Sequence, residues 1–175
     1  MRILILGGHG FIGSHTSNLL KEKGHTIGVV DCYHQYFTFP DQEYFSILKL
    51  RKDHANNDKT FIGKIEDESF MSRVFEEFKP DIVMHLATYP NAKMVARNVA
   101  DATTNMVTAT ASILNLCVKS NVKRIVFASS SMAYGEFNGG IPDENVMCNP
   151  NTLYCLLYTS DAADDTPCVD LGGRR

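Results

Sequence analysis

Short apolar runs alternate along the chain with stretches in which apolar residues recur every three to four positions. Five such runs predict strands that are buried on both faces. They lie at residues 3–6, 26–30, 60–63, 82–86 and 124–128. Strands that alternate with helices at this spacing predict parallel βαβ units, and therefore an α/β fold built on a doubly wound parallel sheet.

Helical spacing is clearest after the third run. One amphipathic stripe there predicts a helix that ends at Lys79-Pro80. The stripe consists of Phe70, Met71, Val74, Phe75 and Phe78. A short helix is predicted over 44–52 and a long helix over 99–117, whereas residues 155–175 show neither helical nor strand periodicity.

Composition and charge exclude several classes of protein. Apolar residues make up 44% of the 175 positions and charged residues 21%, a balance that excludes a disordered or fibrous chain. The net charge of −3 does not indicate a nucleic-acid or anionic-membrane partner, and no apolar run reaches the ~18–20 residues of a spanning helix. The five cysteines have neither the spacing of a metal site nor an even number for disulfides. We therefore expect a soluble, cytoplasmic protein without a metal.

A glycine loop follows the first predicted strand. Gly7, Gly10 and Gly13 stand between that strand and the first helix. Glycines there let the backbone turn sharply, so that a pyrophosphate can approach the N–H groups of the helix N-terminus. The predicted cofactor site in this loop comprises Gly7, Gly10, Phe11, Ile12 and Gly13. A glycine-rich turn without any ligand is the alternative interpretation.

Asp31 closes the second predicted strand, 18 residues after Gly13. An acid at about this distance binds the ribose hydroxyls of an adenosine. Its charge would repel a 2′-phosphate, so the cofactor prediction is NAD and not NADP. A solvated aspartate at a strand end is the alternative.

Five motifs in order carry a resemblance over residues 2–154. They are GGHGFIGSH, VVD, PDIVMHLAT, VKRIVFASSSMAYG and NPNTLY. With them the chain resembles the extended short-chain dehydrogenase/reductases, in particular the NAD-dependent epimerase/dehydratase group that acts on nucleotide sugars. The resemblance implies that Leu86 and Ala87 line the cofactor and that Ser129 is a cofactor-side serine.

The same resemblance implies a catalytic pair. The family's serine or threonine lies four positions before the tyrosine of a Tyr-Gly pair, which gives Ser130 here, and its catalytic tyrosine matches Tyr154. In the family this tyrosine takes a proton from the sugar hydroxyl while a hydride moves to the cofactor. A phenol titrates near ~10, so a nearby lysine is needed to lower its pKa. The alternative is a strand-end turn serine and a packed aromatic.

Several positions depart from the family pattern. Tyr158 stands where the family has its lysine, and Lys64 stands where an aspartate usually meets the adenine. Met106 falls where the family has an asparagine, with Asn105 one residue away. Ser131 and Met132 replace the Asp-Glu pair of the dehydratases. Because water elimination needs an acid and a base there, this replacement favours epimerisation.

We therefore expect NAD-dependent epimerisation of a nucleotide sugar at C4, with a nucleotide-sugar dehydratase or reductase of the same group as the alternative. The chain is expected to hold an incomplete NAD-binding Rossmann domain in residues 1–154, truncated before the last strands and the substrate domain. Residues 155–175, in which CLLYTSDAADD resembles translated sequencing-adapter read-through, are expected to be non-native and disordered. On this interpretation the chain is an inactive fragment of a longer parent, which is expected to form a homodimer. A non-catalytic NAD-binding sensor or scaffold is the alternative of another class.

Overall fold

The computed structural model of the chain describes residues 1–38, 40–135, 143 and 145–162, with the side chains of residues 158–162 left aside. Two compact units are distinguished. The sheet unit consists of Met1–Thr88 and Ser112–Ala128. The helical unit consists of Tyr89–Ala111 together with the described part of Ser129–Arg175.

Five parallel strands form the sheet of the sheet unit. They are β1 (Arg2–Leu6), β2 (Thr26–Asp31), β3 (Lys59–Ile62), β4 (Ile82–His85) and β5 (Arg124–Phe127). Their order in the sheet is β3-β2-β1-β4-β5, with every neighbouring pair parallel. The chain runs outward from β1 to β3 and then returns to the other side of β1, so the strand order reverses between β1 and β4. This order confirms the predicted Rossmann-like α/β sheet.

Apolar side chains at the middle of the sheet explain why its strands read as uninterrupted apolar runs. Leu4, Ile5 and Leu6 on β1 are fully buried, as are Val29 and Val30 on β2. A central strand of a parallel sheet is covered on both faces, so no polar alternation is tolerated. Burying each such side chain contributes about 1.5–3 kcal/mol to the stability of the fold.

The sheet unit also contains α1 (Phe11–Glu22), α2 (Asp41–Ala55) and α3 (Glu68–Phe78). On α3 the predicted stripe is confirmed, since Met71, Val74, Phe75 and Phe78 are buried. Two local signals set its ends. The Asp67 carboxylate caps the N-terminus by accepting the Phe70 N–H at 2.9 Å, and Lys79 ends the helix in a left-handed conformation.

The helix predicted over 44–52 is longer than expected. The structure extends α2 to Asp41–Ala55, although Ala55 is its one buried residue among those described. Its attachment to α1 explains the extension at the C-terminal end, because the Ser17 hydroxyl donates a buried hydrogen bond of 2.7 Å to the Ala55 carbonyl.

The single long helix predicted over 99–117 is interrupted. In the structure α4 (Ala92–Arg97) and α5 (Val99–Thr103) precede a π-helical segment (Thr104–Thr108), and α6 follows (Ala109–Lys119). A π-helical turn adds one residue to an α-helix, and apolar spacing alone does not reveal such an insertion.

The remaining elements of the helical unit are a 3-10 turn (Ser131–Tyr134) and α7 (Leu153–Ala162). Residues 155–162 are therefore helical, which corrects the expectation that regular structure ends at residue 154. Local capping and burial explain the difference: the Thr152 hydroxyl accepts the Cys155 N–H at 3.3 Å, and Cys155 and Leu157 are buried. Residues 163–175 lie outside the described part of the chain.

In the described part of the chain, no helix combines the length and the apolar character that crossing a membrane requires. The same residues contain no cluster of three or more histidine, cysteine, aspartate or glutamate side chains with the geometry of a metal site.

Candidate cofactor site and catalytic residues

The glycine loop between β1 and α1 needs glycine at two of its positions. Gly7 has a φ of +78°, and a Cβ there would lie 2.9 Å from the backbone nitrogen of Ala87. A Cβ on Gly13 would lie 2.4 Å from the carbonyl oxygen of Gly7. Real Cβ atoms do not approach backbone atoms this closely, so side chains at these positions would force the loop apart from α1 or β4.

The N-terminus of α1 leaves donors available for an anion. Gly10 is the N-cap and provides no side-chain capping bond, and the Ser14 N–H makes the first intrahelical bond, to the Gly10 carbonyl at 3.0 Å. The N–H groups of Phe11, Ile12 and Gly13 precede that bond and have no carbonyl partner within the helix. The Phe11 and Ile12 side chains are 68% and 65% exposed. Together these features form a site that suits a pyrophosphate.

Asp31 lies directly beside this loop. One carboxylate oxygen accepts the backbone N–H of His9 at 3.0 Å, and the other accepts the backbone N–H of Tyr33 at 2.9 Å. A carboxylate has about four acceptor positions, so two bonds leave capacity for the hydroxyls of a ribose. The structure thus brings the predicted ribose-binding acid and the predicted phosphate loop into one site.

Leu86 and Ala87 continue β4 to the same loop. The Leu86 N–H donates to the Leu6 carbonyl at 2.9 Å, and both residues are half-buried. Since the backbone of Ala87 is the surface that a Cβ on Gly7 would meet, this segment forms a wall of the glycine loop. It also lies where the strand order reverses, which is the usual position of ligand sites in open α/β sheets.

The structure adds residues that the sequence reasoning missed. The ring of His9, inside the glycine loop, is 3% exposed. Its Nδ1 lies 3.1 Å from the Tyr33 hydroxyl and its Nε2 lies 3.1 Å from Oδ1 of Asn57. The available signal was a large polar ring at a loop position where the neighbours are glycines.

Charge and burial keep the groups next to Asp31 protonated. Burial and the Asp31 charge raise the pKa of the Tyr33 hydroxyl, and the same two causes raise the pKa of Tyr44. Burial raises the pKa of the Cys32 thiol, with further contributions from Asp31 and Glu66. Tyr33 therefore remains a hydrogen-bond donor throughout the neutral pH range.

The predicted catalytic residues belong to the helical unit. Ser130 is the N-cap of the 3-10 turn, where its hydroxyl accepts the Met132 N–H at 3.3 Å, and Ser129 is exposed. Tyr154 lies in the first turn of α7 and is 8% exposed. Position 158 follows on the same helix, about one turn later.

One glycine brings the two catalytic motifs together. Gly135 ends the motif that contains Ser130 and has a φ of +76°. A Cβ there would lie 2.0 Å from the carbonyl oxygen of Asn149, the first residue of NPNTLY. The segment that leads to Tyr154 therefore passes close to the C-terminal end of the turn that Ser130 caps, and only glycine at position 135 permits this approach.

The π-helical segment affects which residue corresponds to the asparagine that the family pattern places near residue 106. Asn105 and Met106 both lie within this segment and both are buried. The additional residue of a π turn changes which side chains face inward, and here it turns two consecutive side chains into the interior. Asn105 is therefore buried, although ungapped counting places Met106 at the position of the family's asparagine.

Residues 3–156 match the NAD dependent epimerase/dehydratase family. The UDP-glucose 4-epimerase of Caenorhabditis elegans is 34% identical over 140 residues, which cover 77% of this chain and 39% of the relative. The chain thus spans well under half of that relative.

Solved structures of UDP-glucose 4-epimerases also match this chain over about half of their own length. The UDP-glucose 4-epimerase of Thermotoga maritima, determined with UDP-glucose, matches with a TM-score of 0.75 and 29% identity over 93% of this chain and 49% of that chain. The enzyme of Bifidobacterium longum, determined with NAD+ and UDP, matches with a TM-score of 0.78 and 26% identity over 93% of this chain and 47% of that chain. This chain spans about half the length of both structures.

Proposed function

Because the chain belongs to the NAD dependent epimerase/dehydratase family, we propose that its sheet unit binds NAD and that the protein serves the epimerisation of a nucleotide sugar at C4. The observation that carries the proposal is the Asp31 carboxylate hydrogen-bonded to the backbone of the glycine loop. This contact supports the proposal because an adenine dinucleotide requires a ribose acceptor beside a phosphate site.

The residues of the sheet unit would contact NAD at its pyrophosphate and at the ribose of its adenosine. The first-turn N–H groups of α1 would hold the pyrophosphate, with Gly7 and Gly13 allowing its close approach. Asp31 would accept hydrogen bonds from the ribose hydroxyls and repel a 2′-phosphate. Leu86 and Ala87 would form an apolar wall on the side of β4. The assignment of Ser129 as a cofactor-side serine rests on the family resemblance alone.

A titration of the chain with NAD and with NADP tests the cofactor proposal. We expect NAD to bind more tightly by at least about tenfold, since a carboxylate opposes the added phosphate. The variant Asp31→Ser should weaken NAD binding and narrow the difference between the two cofactors. Asp53→Ser, an exposed carboxylate on α2 that pairs with Lys49, is the control and should change neither affinity. Equal affinities of the unmodified chain for both cofactors would contradict the proposal.

The catalytic part of the proposal assigns a role to each residue of the pair. Tyr154 would take the proton of the sugar hydroxyl at its phenolic oxygen, and the Ser130 hydroxyl would orient that hydroxyl and share its proton. NAD, when bound, supplies the acceptor and donor of a hydride. Ser131 and Met132 support epimerisation over dehydration because neither is an acid or a base suited to water elimination.

The substrate proposal rests on the relatives. Two structural relatives were determined with UDP or UDP-glucose. We propose a uridine diphosphate sugar as the substrate of the longer protein. In that longer protein Tyr154→Phe should abolish turnover while leaving the NAD affinity within about twofold, because the phenol is proposed to act on the substrate. A parallel loss of NAD binding would contradict this role.

Position 158 decides between this proposal and a second one. The family's lysine is replaced by Tyr158, and without a cation a phenol is a poor base at neutral pH. We propose that residues 155–175 are not the native sequence. Sequencing the source DNA across codons 150–175 should show a reading frame that continues through a lysine at 158.

A confirmed Tyr158 followed by a stop after Arg175 would contradict the catalytic proposal. The function favoured then is a non-catalytic NAD-binding module, since the glycine loop and Asp31 are independent of position 158.

A further inference from the structure

We propose that His9 and Tyr33 form a positioning pair that holds the Asp31 carboxylate in the orientation that binds the hydroxyls of the adenosine ribose. This inference rests on the proposed binding of NAD. Its basis is a closed ring of hydrogen bonds between the glycine loop and the end of β2, which no motif of the sequence indicates.

The hydrogen bonds of Asn57 determine which nitrogen of His9 carries the proton. The Asn57 amide nitrogen donates to the Lys59 carbonyl at 2.8 Å and to the Thr60 hydroxyl oxygen at 2.9 Å. A carbonyl can only accept, so the amide oxygen of Asn57 is the atom that faces His9. That oxygen accepts from Nε2 of His9 at 3.1 Å. In a neutral imidazole the proton is therefore on Nε2, and Nδ1 is an acceptor.

The acceptor Nδ1 completes the ring of bonds through Tyr33. The Tyr33 hydroxyl donates to it at 3.1 Å. The backbone N–H groups of the same two residues, His9 and Tyr33, donate to the two oxygens of Asp31 at 3.0 and 2.9 Å. Each residue of the pair thus holds one carboxylate oxygen with its backbone and holds the other residue with its side chain.

Tyr33 is itself held from several sides. Its φ is +53°, a left-handed conformation that a tyrosine adopts only under constraint. Its carbonyl accepts the Tyr44 hydroxyl at 2.5 Å, and the Lys52 ammonium lies 5.1 Å from its ring centroid. The His9 ring is stacked on the Tyr33 ring with centroids 5.7 Å apart and planes 14° apart. The strained backbone and these contacts fix the direction of the N–H that Tyr33 offers to Asp31.

A positioning role differs in its consequences from simple packing. His9→Ala leaves the backbone N–H that binds Asp31 but removes both ring bonds, so the loop and the carboxylate lose their common orientation. The loss should therefore be larger for a ligand that offers the full ribose diol than for one that lacks a hydroxyl. Loss of packing alone would weaken both ligands equally, because both use the same pyrophosphate site.

The experiment compares the affinities of the chain for NAD and for its analogue with a 2′-deoxyadenosine. The unmodified chain should prefer NAD by about ten- to a hundredfold, the effect of one hydrogen bond to a charged group. His9→Ala should weaken NAD binding by a similar factor and change the affinity for the analogue by less than about twofold. Tyr33→Phe, which keeps the stacked ring, should also weaken NAD binding more than binding of the analogue. The double variant should bind NAD no more weakly than the weaker-binding of the two single variants.

Two further variants complete the test. His9→Asn keeps an acceptor for the Tyr33 hydroxyl and should recover most of the preference for NAD. His54→Ala, an exposed histidine on α2 bonded to His15, is the control and should keep the preference unchanged. Equal weakening of both ligands in His9→Ala and Tyr33→Phe, or additive effects in the double variant, would overturn the inference. A failure of the unmodified chain to bind NAD would instead overturn the proposed function itself.

Discussion

The two units of the chain present their candidate residues in different ways. In the sheet unit the backbone itself places the site: Gly7 lies against Ala87, and Asp31 accepts an N–H of the glycine loop. In the helical unit Ser130 caps a four-residue 3-10 turn and Tyr154 lies on α7. The geometry of a strand, a turn and a helix therefore supports the cofactor site by physical argument, whereas the catalytic roles depend on the resemblance to the family.

The sheet unit also contains the more deeply buried side chains. The largest fully buried side chains of the described residues all belong to the sheet unit, including Phe75, Leu4, Ile5, Met71 and Ile113. Apolar burial is the dominant favourable contribution to folding. We therefore expect the sheet unit to open at a higher free energy than the helical unit.

The largest effect is expected from a glycine of the sheet unit. Gly7 and Gly24 have nearly the same φ, +78° and +79°, but a Cβ on Gly24 meets open space. Both alanine variants incur the cost of the left-handed conformation, about 1–2 kcal/mol. Gly7→Ala adds a collision with the Ala87 backbone and should lower the free energy of unfolding by more than about 3 kcal/mol.

Urea unfolding and NAD titration of both variants measure this difference. Gly7→Ala should also abolish detectable NAD binding, whereas Gly24→Ala should bind NAD with unchanged affinity. Equal destabilisation by the two substitutions would show that the contact between the loop and β4 contributes nothing to the site.

The next effect is a pH dependence that originates in the sheet unit. Burial lowers the pKa of His85 from about 6.5 to about 4. The unfolded chain then binds one more proton than the folded chain between these values, so the stability falls as the pH falls from 6.5 to 4. The total loss should be about 3 kcal/mol. Hydrogen bonds to Lys21 and the Ile27 N–H outweigh burial and lower the pKa of Asp58, so its contribution is lost at more acidic pH.

Urea unfolding at several pH values between 4 and 7.5 checks this prediction. His85→Asn should be less stable at pH 7 but should show a flatter dependence over that range. An unchanged dependence in this variant would assign the acid sensitivity to other groups.

The sequence predicted the parts of the fold that depend on local patterns. The strands and α3 follow from apolar periodicity, and the glycine loop and Asp31 follow from spacing. The π-helical segment at Thr104–Thr108 was not predicted, because an insertion of one residue leaves apolar side chains at nearly helical spacing. The His9 contacts were not predicted either, since Tyr33 and Asn57 lie 24 and 48 residues away along the chain.

The reactivity of the cysteines allows the local opening of the two units to be compared within one molecule. Each has one buried and one exposed thiol among the described residues: Cys117 and Cys32 in the sheet unit, Cys155 and Cys148 in the helical unit. Burial raises the pKa of Cys117 to about 12. Because a buried thiol reacts only after local opening, Cys155 should be alkylated at least about tenfold faster than Cys117.

Iodoacetamide labelling followed by mass spectrometry gives the order of reaction. The exposed Cys148 serves as the internal control and should react first, and Cys32, which is exposed but has a raised pKa, should follow it. Faster labelling of Cys117 than of Cys155 would reverse the proposed order of stability of the two units.

The smallest effect is expected from two matched caps. Asp67 caps α3 in the sheet unit with a bond of 2.9 Å, and Ser130 caps the 3-10 turn in the helical unit with a bond of 3.3 Å. Asp67→Ala should lower the global free energy of unfolding by about 1 kcal/mol. Ser130→Ala should change it by less than about 0.3 kcal/mol, because a unit that opens first contributes little to global unfolding.

Urea unfolding measured by far-UV circular dichroism distinguishes the two variants, and hydrogen exchange of the Met132 amide reports the local opening that Ser130→Ala should increase. Comparable losses from both caps would mean that the two units unfold together. In that case the helical unit would share the stability of the sheet, and the burial difference between them would not predict where the chain opens.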